Sequence, residues 1–411
     1  MIPGPRGWAA VSTILDLRRD PLGALMRLQR TYGDILVFQY GPLSRVLLFE
    51  PPSVQRILQD NHPNYGKDSP FYHMLGWFLG KGLITSDGEL WKRQRRLAQP
   101  AFQKTRIDAL VPMMVQSTHD MISTFRVGEV VDVAGAMITL TLRIIGQALF
   151  SEDLSASSHG IGGAVEELQR QMQWRFRAFF PIRPILPTPR DRRFRQVNTG
   201  IRELILEIVA RRRASKNYPD DILSVLMSQP MDDKQLTDEL VTFMLAGHET
   251  VANTLTWALA LLSLHPEQRR QLDAHKVVLE TLRLFPPVGV FGRRALAADE
   301  LGGHPIGKGQ IVSAAPYVLH RHPDYWDNPE GFDPARFAKE PVKGSFVPFA
   351  GGPRQCIGNY LALLEATTVL ETLTAHVRLD LMPGQRLEID PQITLRPKGP
   401  LPMRVTRLGS G

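Results

Sequence analysis

Apolar residues recur along this chain at intervals of three and four far more often than in strict alternation, the period of helices that bury one face. The longest such run extends from Asp238 to Leu264, where Leu240, Phe243, Met244, Thr254, Leu255 and Ala258 fall on three- and four-residue steps. It predicts one long, largely buried helix. Its final part, Leu255 to Leu264, is the longest apolar stretch of the chain. Thr256 interrupts it and His265-Pro266 closes it, so it reads as the buried end of a helix and not as a membrane span. A second helix should stop at Pro286-Pro287, after Glu280-Thr281-Leu282-Arg283 has set opposite charges one helical turn apart. There is no repeat of solenoid or propeller spacing, and no Pro/Gly/Ser-rich linker cuts the 411 residues, so one domain over 1–411 is expected.

At 43% hydrophobic and 22% charged, the composition is that of a globular chain with a substantial core. The opening Met1-Ile2-Pro3-Gly4-Pro5-Arg6 has neither the apolar run of a signal peptide nor that of a membrane anchor, and a soluble cytoplasmic protein is expected. The net charge of +8 raises the question of nucleic acid, because basic residues gather in Lys92 to Arg96, Arg190 to Arg195 and Arg211 to Arg213. Those runs sit among apolar residues at helical spacing, with no zinc finger, aromatic RNA-binding signature or basic zipper beside them. Solvated helix faces account for them, nucleic acid is not an expected partner, and the functional alternative is docking of an acidic electron-transfer protein.

The chain has one cysteine, which excludes an intramolecular disulfide and a multi-cysteine zinc or iron-sulfur site. Its surroundings set it apart: Phe349-Ala350-Gly351-Gly352-Pro353-Arg354-Gln355-Cys356-Ile357-Gly358 is glycine-rich and leads into the helical pattern Leu361 to Ala366. A sulfur on a turn at a helix start meets free N–H donors and the positive end of the helix dipole, and both favour the thiolate. That suits an anionic metal ligand. Gly351, Gly352 and Gly358 allow the backbone to turn and approach a flat cofactor, Arg354 can pair with a carboxylate and Phe349 can cover the sulfur. A nucleophilic thiol would want a histidine base, which the sequence does not bring near, and a phosphate loop would want Lys-Ser/Thr after its glycines.

The pattern Phe-x-x-Gly-x-Arg-x-Cys-x-Gly, from Phe349 to Gly358, resembles the haem-binding loop of the cytochrome P-450 family at every defined position. The resemblance implies that Cys356 is the axial ligand of the iron of haem b (iron protoporphyrin IX), its thiolate favouring cleavage of the O–O bond. Ala246-Gly247-His248-Glu249-Thr250 resembles the family's oxygen-activation motif. It implies a groove for O2 at Ala246 and Gly247, a hydrogen bond from Thr250 to the oxygen, and proton relay through Glu249, with His248 at the variable position. Glu280 and Arg283 resemble the family's buried Glu-x-x-Arg pair, and Pro334-Ala335-Arg336-Phe337 would supply its third member, Arg336. By itself such a pair is usually a surface salt bridge worth little. Trp91 and Arg95 resemble the Trp-x-x-x-Arg helix that binds haem propionates, and Arg354 and Arg294 are further propionate candidates.

These motifs occur in the family's order, and the resemblance covers essentially the whole chain. It implies a mainly α fold with a small β lobe, a triangular helical prism with haem between distal and proximal helices. The lobe should be built near Ile35 to Phe49, Ala295 to Val312 and Ile393 to Val405. Substrate-pocket positions implied in the same way are Phe71, Met74 and Phe78, Phe243 with Ala246 and Thr250, Val288, Val290 and Phe291, and Ile393 and Thr394. Mostly apolar, they fit a fatty acid, terpenoid, steroid or macrolide-like ligand. The expected activity is insertion of one atom of O2, with electrons from a ferredoxin and its NAD(P)H-dependent reductase, in a monomer without a membrane anchor. A peroxide-driven peroxygenase or decarboxylase is the alternative, and a non-catalytic haem-binding protein a remote one. One departure stands out. The stretch Glu267 to Val278 is shorter than the family's, as is the turn near Gln229-Pro230-Met231, through a genuine deletion or through residues absent at a join near Ala274-His275. A Cα separation of about 3.8 Å there would favour the deletion.

Overall fold

The computed structural model describes residues 2–40, 43–155, 161–177, 183–184, 186 and 188–407. The chain divides into two compact units, each assembled from three segments. One comprises Met1–Ser69, His275–Cys356 and Ile389–Arg396, and the other Pro70–Ala274, Ile357–Glu388 and Pro397–Gly411. The architecture is mainly α with small sheets, as expected.

The first unit is built on a five-stranded sheet in the order Ile35–Tyr40, Leu43–Leu48, Ile311–Ala314, Phe291–Ala295, Tyr65–Gly66. Only the Leu43–Leu48 and Ile311–Ala314 pair is parallel, with Val46 opposite Val312. Successive side chains of a strand point to opposite faces, and here both faces are covered. Ile35, Val46, Leu48, Phe291 and Val312 pack into one apolar cluster, while Leu36, Leu47 and Phe49 pack into another. The strand Phe291–Ala295 begins ahead of the expected Ala295, which places Arg294 inside it.

The second unit is organised around the helix Asp233–Leu264, which starts before the expected Asp238. Asp232 caps it by accepting the N–H of Gln235, and it ends where Pro266 follows His265. It runs unbroken through Ala246 to Thr250. A mid-helix glycine costs about 1 kcal/mol relative to alanine, and burial of nearly the whole helix offsets this. The neighbouring helix Val133–Phe150 is long and apolar enough to cross a membrane by composition, yet it packs along Asp233–Leu264 as a core element. A three-stranded antiparallel sheet, Val130–Asp132, Pro402–Arg407, Val377–Leu381, completes this unit. After the short helix Pro266–Arg270, Ala274 and His275 are the first residues of the helix Ala274–Leu284.

Candidate active site

The cysteine loop closes on itself through the Cys356 N–H, which donates to the Phe349 carbonyl at 3.0 Å. Between them lie Ala350 in the left-handed region at φ 56° and the tight turn Gly352–Arg354. The Cys356 side chain is exposed, on the segment just before the helix Asn359–His376. Gly352 has φ +62°, and a Cβ there would lie 1.9 Å from the Leu58 carbonyl oxygen. Its glycine is therefore required by the turn and by the loop's approach to the segment Arg56–Asp60. A Cβ at Gly351 or Gly358 would meet only ordinary contacts, Leu58 at 3.6 Å and Phe102 at 3.8 Å. The polypeptide itself does not demand glycine at these two positions, whereas a flat group laid against the backbone would.

Beneath the loop lies a fully buried ion pair. Arg283 grips Glu280 with two hydrogen bonds, Nε to Oε2 at 2.7 Å and Nη2 to Oε1 at 2.8 Å, and neither side chain is exposed. Arg336 Nε and the Asp333 N–H both donate to the same Oε1, at 3.0 and 2.9 Å. The remaining Arg283 donors reach the carbonyls of His320, Pro329 and Gly331. His320 continues the chain of contacts, accepting the Val347 N–H at its Nε2 at 2.9 Å, two residues before Phe349. Desolvation, with Arg321 and Arg283 nearby, pushes the His320 pKa down to about 3, which keeps it neutral and able to accept. The three expected members, Glu280, Arg283 and Arg336, are thus brought together, and His320 is a link that sequence reading missed. A buried pair stripped of one partner costs about 3 to 5 kcal/mol, so this network fixes the loop rather than decorating it.

In the same unit Arg294 pairs with Asp68 at 3.1 Å through Nη1, while its buried Nε has no hydrogen-bond partner. A buried donor without an acceptor is costly, and an anionic cofactor group would satisfy it. Arg354 is half-buried on the cysteine loop. The Leu395 N–H donates to the Pro287 carbonyl at 2.9 Å, which ties the segment after Ile393 and Thr394 to the turn that leads into Val288 and Val290. Phe291 is buried and packs in the sheet's core cluster.

In the second unit, Trp91 and Arg95 lie one turn apart on the helix Gly88–Ala98, with Trp91 buried and Arg95 half-buried. Their neighbours Lys92, Arg93 and Arg96 are exposed, as the solvated-face reading of that basic run requires. On the helix Asp233–Leu264, Thr250 Oγ1 donates to the Ala246 carbonyl at 2.8 Å, which leaves its oxygen lone pairs as acceptors. Gly247 faces the helix Val133–Phe150, where an added Cβ would lie 2.8 Å from Ile145 Cδ1. Its smallness serves helix packing at this point. Glu249 accepts from the amide of Gln169, at 2.9 Å, on the helix Ile161–Arg177. Gln169 carries no sequence signal, since its contact is made 80 residues along the chain. Of the aromatic positions, Phe243 packs edge-on against Phe102, and Phe78 is fully buried against Phe194. Met74 is buried, and Phe71 is half-buried with its ring edge-on to Tyr72.

Within the first unit an exposed thiol on Cys356, an orphaned guanidinium donor on Arg294 and a glycine at 351 that the polypeptide alone does not require fit a flat, anionic cofactor carried on sulfur. Comparison with known proteins gives the same direction. The family model described as cytochrome P-450 matches residues 2–275 and 274–402. Cyclooctatin synthase of Streptomyces melanosporofaciens is 33% identical, over 97% of this chain and 94% of its own length. Cyclooctat-9-en-7-ol 5-monooxygenase of the same organism is 31% identical, over 94% and 91%. A crystal structure of a 6-coordinated cytochrome P-450 from Thermus thermophilus superposes with a TM-score of 0.79 at 28% identity, covering 94% of this chain and 98% of that one.

Proposed function

The chain belongs to the cytochrome P-450 family and is a monooxygenase of that kind, and from this premise we propose that it holds haem b through Cys356 and oxygenates a polycyclic terpenoid hydrocarbon or alcohol. The observation that carries the reading is the support of Cys356 by a network running from the Glu280–Arg283–Arg336 cluster through His320 and Val347 to the Phe349 carbonyl. When bound, haem supplies the redox centre at which O2 is activated. Cys356 binds as thiolate, with Phe349 beside it, and Arg294, Arg354, Arg95 and Trp91 supply cationic and N–H groups for the two propionates. Thr250 accepts a hydrogen bond at Oγ1 while it donates its own hydroxyl hydrogen to the Ala246 carbonyl, and Glu249 moves protons toward it through water. Phe71, Met74, Phe243, Val288, Val290, Ile393 and Thr394 supply apolar surface that binds substrate mainly by burial.

The terpenoid class rests on the two Streptomyces relatives, whose names carry a cyclooctat-9-en-7-ol substrate and a cyclooctatin product. Electrons come from a ferredoxin and its NAD(P)H-dependent reductase, steered by the chain's net charge of +8. The test is turnover of cyclooctat-9-en-7-ol as probe under isotopically labelled O2 with that reducing pair. A product carrying one labelled oxygen supports the proposal, while turnover with hydrogen peroxide alone and none with the reducing pair supports a peroxygenase instead. Raising salt should slow reduction by an acidic ferredoxin, and salt-independent reduction contradicts the electrostatic docking. The short stretch before Glu280 is read as a genuine deletion, supported by the two family matches meeting at 274–275.

A further inference from the structure

The Gln169 carboxamide sits between two residues of the oxygen-activation segment. Its Nε2 donates to Glu249 Oε2 at 2.9 Å and lies 3.2 Å from His248 Nε2. The His248 Nδ1 is 2.9 Å from the Met244 carbonyl oxygen, which can only accept, so the ring hydrogen is on Nδ1. Nε2 is then a lone pair. A primary amide nitrogen has two hydrogens, and the geometry gives one to the carboxylate and one to the imidazole. His248 is almost wholly buried, its carbonyl accepts from Thr141 Oγ1 at 3.0 Å, and desolvation pushes its pKa down, outweighing the Met244 hydrogen bond and the Glu249 charge that favour a charged ring.

We propose that Gln169 is a positioning residue for proton delivery: one amide nitrogen fixes the Glu249 carboxylate and caps His248 in its neutral Nδ1–H tautomer. The inference rests on the assignment of Glu249 to proton relay made above. Without the amide, the His248 Nε2 lone pair loses its donor beside the Glu249 carboxylate, and a proton carried by Glu249 could pass to it. The imidazole would then compete with Thr250 as the destination of Glu249's protons. With the amide in place that competition is blocked. The variable position of the motif is in this chain a tautomer-locked histidine, and the lock is on another helix.

Gln169→Leu removes both donors at similar size, and Gln169→Glu keeps the shape while losing them. In the haem-loaded protein, reduced and carbon monoxide-bound so that it is diamagnetic, the nitrogen chemical shifts of His248, assigned by loss of its signals in His248→Gln, report the tautomer without any turnover. The wild type should show protonated Nδ1 and bare Nε2, and both Gln169 variants should shift toward a protonated or mixed ring. In turnover, product formed per NAD(P)H consumed should fall about tenfold, a tenth or less of what general acid–base catalysis contributes, while the substrate-binding titration stays within twofold. If Gln169→Leu does not fold, Gln169→Glu decides. Unchanged His248 shifts together with unchanged coupling overturn the proposal. A wild type that shows the locked tautomer but no turnover would instead overturn the functional reading, and the two failures are therefore separable.

Discussion

Glu239 offers the sharpest quantitative test of the second unit. Its side chain is fully buried on the helix Asp233–Leu264, where Oε2 accepts the Leu83 N–H at 2.9 Å and Oε1 has no partner. Desolvation is the main cause that pushes its pKa up to about 7; the Leu83 hydrogen bond opposes this and the charge of adjacent Asp238 reinforces it. In the unfolded chain the group titrates at an ordinary carboxylate value near 4.3. The folded value is the higher one, so its contribution to stability is complete below about pH 4.3 and is lost as pH rises through about 7. A displacement of that size corresponds to about 3 kcal/mol. For 411 residues the entropy of unfolding is about 0.9 kcal/mol per kelvin, so the expected effect on the thermal midpoint is roughly 4 °C. Glu239→Gln abolishes the titration. Its amide would sit where Oε1 lacks a partner, which costs about 1 to 3 kcal/mol at every pH. The reading is therefore the difference between wild type and variant, followed by thermal melts from about pH 4.5 to about pH 8. The wild type should lose roughly 4 °C more than the variant over that range. Parallel curves, within about 1 °C, would refute the assignment of a buried, proton-binding Glu239.

The other expectations are simpler. Glu280→Ala should leave Arg283 buried and unpaired at a cost of about 3 to 5 kcal/mol and yield protein without haem, while Arg336→Ala, at the partly exposed edge of the cluster, should retain much of it; haem content per chain distinguishes them. Gly247→Ala forces a methyl onto Ile145 and should destabilise by about 1 to 3 kcal/mol, with Ile145→Ala in the same chain restoring part of the loss in a melting experiment. If the deletion before Glu280 is genuine, a tryptic digest of the protein from its native cells contains the peptide Gln271 to Lys276, read by mass spectrometry across Ala274-His275. Extra residues between Ala274 and His275 contradict it.

What was legible in the sequence was whatever a short window of residues decides. Phe349 to Gly358, Ala246 to Thr250 and Glu280 to Arg283 are local patterns, and each sits in the element its pattern implies. The helix start at Asp233 was also within reach, because Asp232 followed by Gln235 is a capping signal that the apolar period alone overlooks. Contacts across the chain were not legible. Gln169 and His320 have ordinary neighbours in sequence, and their roles come from partners 80 and 27 residues away. Gly247 and Gly352 carry the residue type expected, but the atoms that require it, Ile145 and Leu58, belong to distant segments. Strands as short as Tyr65–Gly66 and Val130–Asp132 cannot display a period at all. The division into two units has no linker to announce it, since the chain passes from one to the other between Ala274 and His275, and again between Cys356 and Ile357.

The central claim is that Cys356 carries haem as its thiolate ligand. The measurement that tests it most directly is the absorption spectrum of the purified protein, reduced with dithionite and exposed to carbon monoxide, beside Cys356→Ala. The account predicts a red-shifted Soret band of the thiolate type in the wild type that is lost in the variant. A colourless wild type that also refuses added haem, or the same band in both proteins, would contradict it.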